Sequence, residues 1–112
     1  MGTNYYAKPR QDPLGLAGEG LHIGKSSGGW EFLWRGHPER GLRSAAAWRG
    51  VLGHPDVVIE AEYGTRLSLD EFMEVVRQRA DKRQFWEASG AYWTDREWRD
   101  PEGYPFAGYE FC

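Results

Sequence analysis

The side chains most able to do chemistry are gathered in one stretch, Leu-His-Ile-Gly-Lys-Ser-Ser-Gly-Gly-Trp at residues 21–30, where His22, Lys25, Ser26 and Ser27 stand among glycines. Backbone N–H groups of a glycine-rich turn, with a lysine and two hydroxyls, can form a concavity that holds an anion. Gly-Lys-Ser after a strand also belongs to the phosphate-binding loop of NTPases. That loop needs a glycine five positions before Gly24, where Glu19 stands, and a long helix directly after, where Gly28, Gly29 and Trp30 follow. The NTPase reading is therefore excluded. What stays open is a phosphate or nucleotide site in the 24–29 turn, contacted by His22 and Lys25, or a plain hairpin loop, since Gly and Ser dominate ordinary turns. Nucleophilic catalysis would need Ser26 or Ser27 held by a base such as His22, itself oriented by a third group. No nucleophile-elbow pattern supports it, and no catalytic residue is assigned.

Two other groups invite chemistry. His22, His37 and His54 could hold a metal with Glu39 and Asp56, but their spacings match no zinc pattern, so no metal or other cofactor is expected. Glu60 and Glu62 offer a carboxylate pair on one side of a strand, where alternating acids ordinarily mark the solvent face. Trp86, Tyr92, Trp93 and Trp98 are too many rings for a small domain to bury fully, and Arg96 and Arg99 beside them add another residue type favoured at interfaces. They form a candidate partner-binding patch. The competing reading is that these rings cap the core over a thin sheet.

The elements that must position these residues follow from periodicity. Residues 3–7 read as a first strand, and 8–20, with Pro9, Pro13, Gly15, Gly18 and Gly20, as a flexible loop. Leu21 and Ile23 alternate with His22 and Gly24, which sets His22 on the face opposite the two aliphatics. Trp30, Phe32 and Trp34 repeat at period two and predict a hairpin with that strand across a 25–29 turn. Ser44 caps a short helix carrying Ala45, Trp48 and Leu52 on one face, stopped by Gly53 and Pro55. Val57, Ile59, Ala61 and Tyr63 mark another strand, with 65–67 able to pair back. Ser68 and Glu71 have capping-box spacing ahead of a helix over 69–82 whose inner face is Leu69, Phe72, Met73, Val76 and Ala80. Residues 85–98 have no clean period. Asp100, Pro101, Glu102 and Gly103 form a turn between 97–99 and 104–106, a closing hairpin that ends near Phe111. The expected fold is α+β: one domain over residues 1–112, with a small, mostly antiparallel sheet of about five strands and two helices.

The whole-chain properties narrow the function. A length of 112 residues suits one core, and a hydrophobic share of 40% is enough to fold it. The net charge of -3 gives no general attraction to nucleic acid or anionic lipid. No apolar run approaches a membrane span and the polar start lacks a secretory signal, so the cytoplasm is the expected location. The single cysteine, Cys112, allows no internal disulfide.

Met-Gly-Thr-Asn-Tyr-Tyr at the start, His-Ile-Gly-Lys-Ser-Ser-Gly-Gly-Trp at 22–30, Glu-Tyr-Gly at 62–64 and the closing Asp-Pro-Glu-Gly-Tyr and Gly-Tyr-Glu-Phe together make a pattern. The chain resembles a family of small proteins of bacteriophages, chiefly those infecting actinobacteria, and of their hosts. Relatives often carry a Cys-x-x-Cys element between the first two motifs, implying a metal-stapled loop; residues 8–20 here contain no cysteine. The resemblance brings no activity with it. It implies a phage-encoded accessory protein, in the host cytoplasm, that acts without catalysis by binding a host or phage macromolecule. Trp86, Tyr92, Trp93, Arg96 and Trp98 would be its interface. The alternative is a small-ligand protein, enzymatic or not, that holds a phosphate-bearing molecule with His22, Lys25, Ser26 and Ser27.

Overall fold

The computed structural model describes residues 2–16, 18, 20–27, 31–80 and 97–111. Strand β1 (Gly2–Pro9) is the spine of a sheet because its two neighbours pair along most of its length: β2 (Leu21–Ser27) on one side and β3 (Val57–Ala61) on the other, both antiparallel. Beyond β2 lies β4 (Leu33–Arg35), which pairs antiparallel through Gly24 with Trp34 and Lys25 with Leu33. Beyond β3 lies the two-residue β5 (Arg66–Leu67). The closing hairpin, β6 (Trp98–Arg99) and β7 (Pro105–Ala107), joins the same sheet by a parallel pairing of β7 with β4.

The sheet therefore has seven strands in the order β5-β3-β1-β2-β4-β7-β6, against an expected five or so. Residues 65–67 do pair back and the closing hairpin forms as expected; both join the one main sheet, the hairpin through its parallel pairing with the 33–35 strand, which raises the count to seven. Strand β1 also runs on through Lys8 and Pro9, so the connecting loop starts at Arg10 instead of residue 8; Pro9 is the last residue of the strand. The hairpin of β2 with the 33–35 strand is present as expected.

Both helices form where capping and periodicity place them. Helix α1 (Ala45–Leu52) starts at Ser44, whose Oγ accepts from Ala47 N–H at 3.1 Å, and buries Ala45, Trp48 and Leu52. Helix α2 (Leu69–Ala80) opens on a complete capping box: Ser68 Oγ accepts from Glu71 N–H at 3.1 Å and Glu71 Oε1 accepts from Ser68 N–H at 2.8 Å. The rest of the expected 69–82 helix lies outside the described residues.

Helices and sheet enclose an aromatic core. Trp34, Trp48, Phe32, Phe72 and Phe106 are all fully buried, and Phe72 meets Tyr5, Phe32 and Trp34 edge-on. Trp34 stacks on Phe106 at 5.6 Å. Edge-to-face and offset contacts of this kind add about 0.5–1.5 kcal/mol per pair beyond area burial. Among the described residues no helix is long and apolar enough to cross a membrane.

The opposite face of the sheet is polar, and a single irregularity arranges it. Tyr5 pairs with Gly24 but Tyr6 pairs with His22, so Ile23 is the extra residue of a bulge. In a regular strand His22 and Lys25 would project to opposite faces. The bulge sets His22 beside Tyr6 and Lys25 beside Asn4 on one face, while Ile23 enters the core with no exposure.

Candidate functional site

His22 is the centre of the polar face. It is 5% exposed, deeper than a half-buried strand position suggests. Its Nε2 lies 2.8 Å from Asn4 Oδ1 and its Nδ1 lies 3.0 Å from Glu110 Oε1. Tyr6 stacks on the ring at 5.2 Å and Phe111 tilts against it at 4.8 Å. Asn4 is fixed in turn, since its backbone N–H donates to Glu62 Oε1 at 2.8 Å.

Burial of the ring holds the His22 pKa below the ordinary histidine value, outweighing the opposing pull of the Glu110 carboxylate. In the protonated ring both nitrogens donate, one to Asn4 Oδ1 and one to Glu110. In the neutral ring Nδ1–H donates to Glu110, and Nε2 accepts from the Asn4 amide after a half-turn of that group. Neither state leaves a lone pair for abstracting a proton from a substrate.

Around this histidine is a cleft of about 480 Å³ lined by Tyr6, Gly20, Leu21, His22, His37, Glu110 and Phe111. Gly20 shapes its rim: its φ is +87°, and a Cβ there would stand 2.4 Å from the Ala7 carbonyl oxygen. His37 enters from the segment after the 33–35 strand; its Nε2–H donates to the His22 carbonyl at 2.9 Å, and the ring meets Trp48 edge-on at 5.8 Å. Behind Glu110 stands Arg35, whose Nη2 is 3.6 Å from Glu110 Oε2. Tyr6 also lines a smaller hollow of about 220 Å³ with Lys8, Glu60 and Glu62. There Lys8 Nζ donates to Glu60 at 2.7 Å, and this bond is the main cause of the lowered Glu60 pKa.

Of the expected ligand residues, His22 is in the site. Lys25, Ser26 and Ser27 do not form an anion-binding turn, because β2 continues through Ser27 and pairs Lys25 with Asn4, Ser26 with Thr3 and Ser27 with Gly2. That corrects the expected turn over residues 24–27, where backbone groups bonded in a ladder are not free to converge on a phosphate; Gly28 and Gly29 lie outside the described residues. Ser26 is buried and Ser27 half-buried, and His22 and Ser26 are separated by about 13 Å at ordinary strand rise, too far for a nucleophile and its base. Gly24 is a packing position, since a Cβ there would stand 2.4 Å from Leu33 O and 2.5 Å from the Phe32 ring.

His54 sits apart, exposed, with Nδ1 accepting from Asp56 N–H at 3.1 Å. Trp98 is half-buried, stacked on Phe106 at 5.6 Å, with its Nε1–H donating to Arg43 O at 2.9 Å and the Arg43 guanidinium 4.8 Å over the ring. It caps the core, as the competing reading of the aromatic patch has it. Trp86, Tyr92, Trp93 and Arg96 lie outside the described residues.

Asn4, Tyr6, Arg35, Glu110 and Phe111 were not singled out as site residues by type or spacing, and His37 was weighed only as a metal ligand. Their signal is positional: the sequence stretches that make up the recognisable pattern converge here, Asn4 and Tyr6 from the first, His22 from the second, Glu62 from the third, Glu110 and Phe111 from the last. Comparison with known proteins adds no further constraint: no protein-family model, no curated protein and no solved structure matches the chain.

Proposed function

We propose that this chain is a non-enzymatic binding domain of the cytoplasm, and that the cleft over His22 takes a small molecule with a flat ring. One observation carries the reading: a buried imidazole, held at both nitrogens and stacked on Tyr6, forms a wall of a cleft of about 480 Å³. That volume is in the range of small-molecule sites, which combine apolar and aromatic walls with a few placed polar groups. Held at both nitrogens and stacked on Tyr6, the ring is fixed in place as a surface for recognition and stacking. A macromolecular partner at the 86–98 segment would be a second use of the chain, and its described member, Trp98, is committed to packing on Phe106.

The test is a thermal-shift screen against nucleosides, nucleotides, aromatic amines and aromatic acids, with Tyr6→Ala alongside. A ligand at 100 times its Kd adds about 2.7 kcal/mol to stability. A shift present in the wild type and lost in Tyr6→Ala is expected. Silence across the panel, or a shift unchanged by Tyr6→Ala, refutes the assignment.

A further inference from the structure

The segment after β7 behaves differently from the rest of the fold. Beyond Ala107 the chain leaves the sheet, is tied by Gly108 N–H to Glu97 Oε1 at 2.6 Å, and then lies across His22. Glu110 reaches Nδ1 at 3.0 Å while its own side chain stays 70% exposed. Arg35, by contrast, is only 13% exposed; Nη1 donates to the Gly36 carbonyl, and Nε has no hydrogen-bond partner among the described residues. A guanidinium in such surroundings ordinarily takes a bidentate carboxylate. Here it is met by Glu110 at 3.6 Å, longer than a hydrogen bond.

Carboxylate and ring therefore arrive at the cleft on adjacent residues, the first between His22 and Arg35 and the second 4.8 Å from the imidazole. We propose that Glu110 and Phe111 stand in for the ligand, and that the ligand is an aromatic carboxylate. Its carboxylate displaces Glu110 to bind His22 Nδ1–H and Arg35 together, and its ring replaces Phe111 against the imidazole. The proposal rests on the cleft reading and narrows it. The stand-in keeps the buried cation answered when the cleft is empty, and an exposed carboxylate contact is weak enough to be displaced.

Calorimetric titration of phenylacetate, with 2-phenylethanol as the uncharged match, tests it on wild type, Glu110→Ala, Arg35→Gln and Arg35→Lys. Removing an internal competitor raises apparent affinity by the inverse of the fraction of open cleft, about fivefold for a contact this exposed. Glu110→Ala should bind phenylacetate about fivefold more tightly than wild type. Arg35→Gln should lose the preference for acid over alcohol and Arg35→Lys should keep part of it, which separates loss of charge from loss of fold. If Glu110→Ala gives no gain, or the alcohol binds as well as the acid in every variant, the stand-in is overturned while the cleft reading survives. If neither probe binds any variant, the stand-in is overturned, and the cleft reading falls with it only when the thermal-shift panel is silent as well.

Discussion

Asp100 is the residue whose loss should be felt furthest from its own position. It is 6% exposed, and its two carboxylate oxygens accept three backbone N–H groups: Oδ2 from Ala45 at 2.7 Å, Oδ1 from Glu102 at 3.0 Å and from Tyr104 at 2.8 Å. One side chain thus closes the β6–β7 turn and ties it to the first residue of α1, where the helix dipole favours a negative group. Asp100→Ala orphans the three donors. Water can reach Glu102, which is exposed, so the cost falls on the buried Ala45 N–H and the half-buried Tyr104 N–H. Bonds to a charged acceptor contribute about 1.5–3 kcal/mol each, giving a loss of about 3–6 kcal/mol for the two. Asp100→Asn keeps Oδ1 and turns an amide NH2 toward Ala45 N–H, so about 1–3 kcal/mol is expected for one orphaned donor. Equilibrium urea unfolding, read as a fall in midpoint at unchanged m, measures both. At roughly 4 °C per kcal/mol the alanine variant should melt about 12–24 °C below wild type. Alanine and asparagine variants equal to each other and within about 0.5 kcal/mol of wild type, the spread of a neutral surface change, would refute the reasoning.

Two further outcomes follow from the site and its strand. Since burial depresses the His22 pKa, the unfolded chain takes up a proton as pH falls through the ordinary value of 6.5 while the folded ring resists it. Stability from this group is full above 6.5, is lost as pH falls from there to the folded pKa, and levels below it; thermal melts from pH 8 to 5 should show the fall, and His22→Gln should lack that component. An unchanged slope in His22→Gln would count against burial as the cause. Gly24→Ala should destabilise by about 1–3 kcal/mol through overpacking, because its Cβ would press on the Leu33 carbonyl and the Phe32 ring, and a chemical-denaturation curve that overlays wild type would sink that claim.

Much of the architecture was legible in the sequence. Ser44 and Ser68 with Glu71 announce helix starts because capping is a contact within one turn, and Ala45, Trp48 and Leu52, or Phe72, Met73 and Val76, share a face by the 3.6-residue period alone. The alternation of Val57, Ile59 and Ala61 and of His22 between Leu21 and Ile23 likewise assigns faces by local geometry. The number of strands in the sheet was not legible, since a two-residue strand such as Arg66–Leu67 has no period to read and pairs only because β3 is already there. Glycine and serine at 24–27 read as a turn by composition, yet long pairing with β1 holds them extended, tertiary context overriding a weak local preference. The site itself belonged wholly to the tertiary structure. His22 was identifiable by type, but Asn4, Glu110 and Phe111 come to it across sequence separations of 18 and 88 residues or more, through a bulge that no periodicity reports. Local sequence determines which faces are apolar and where helices begin; which polar groups meet on the other face is decided by strand order and register, and those are properties of the whole sheet.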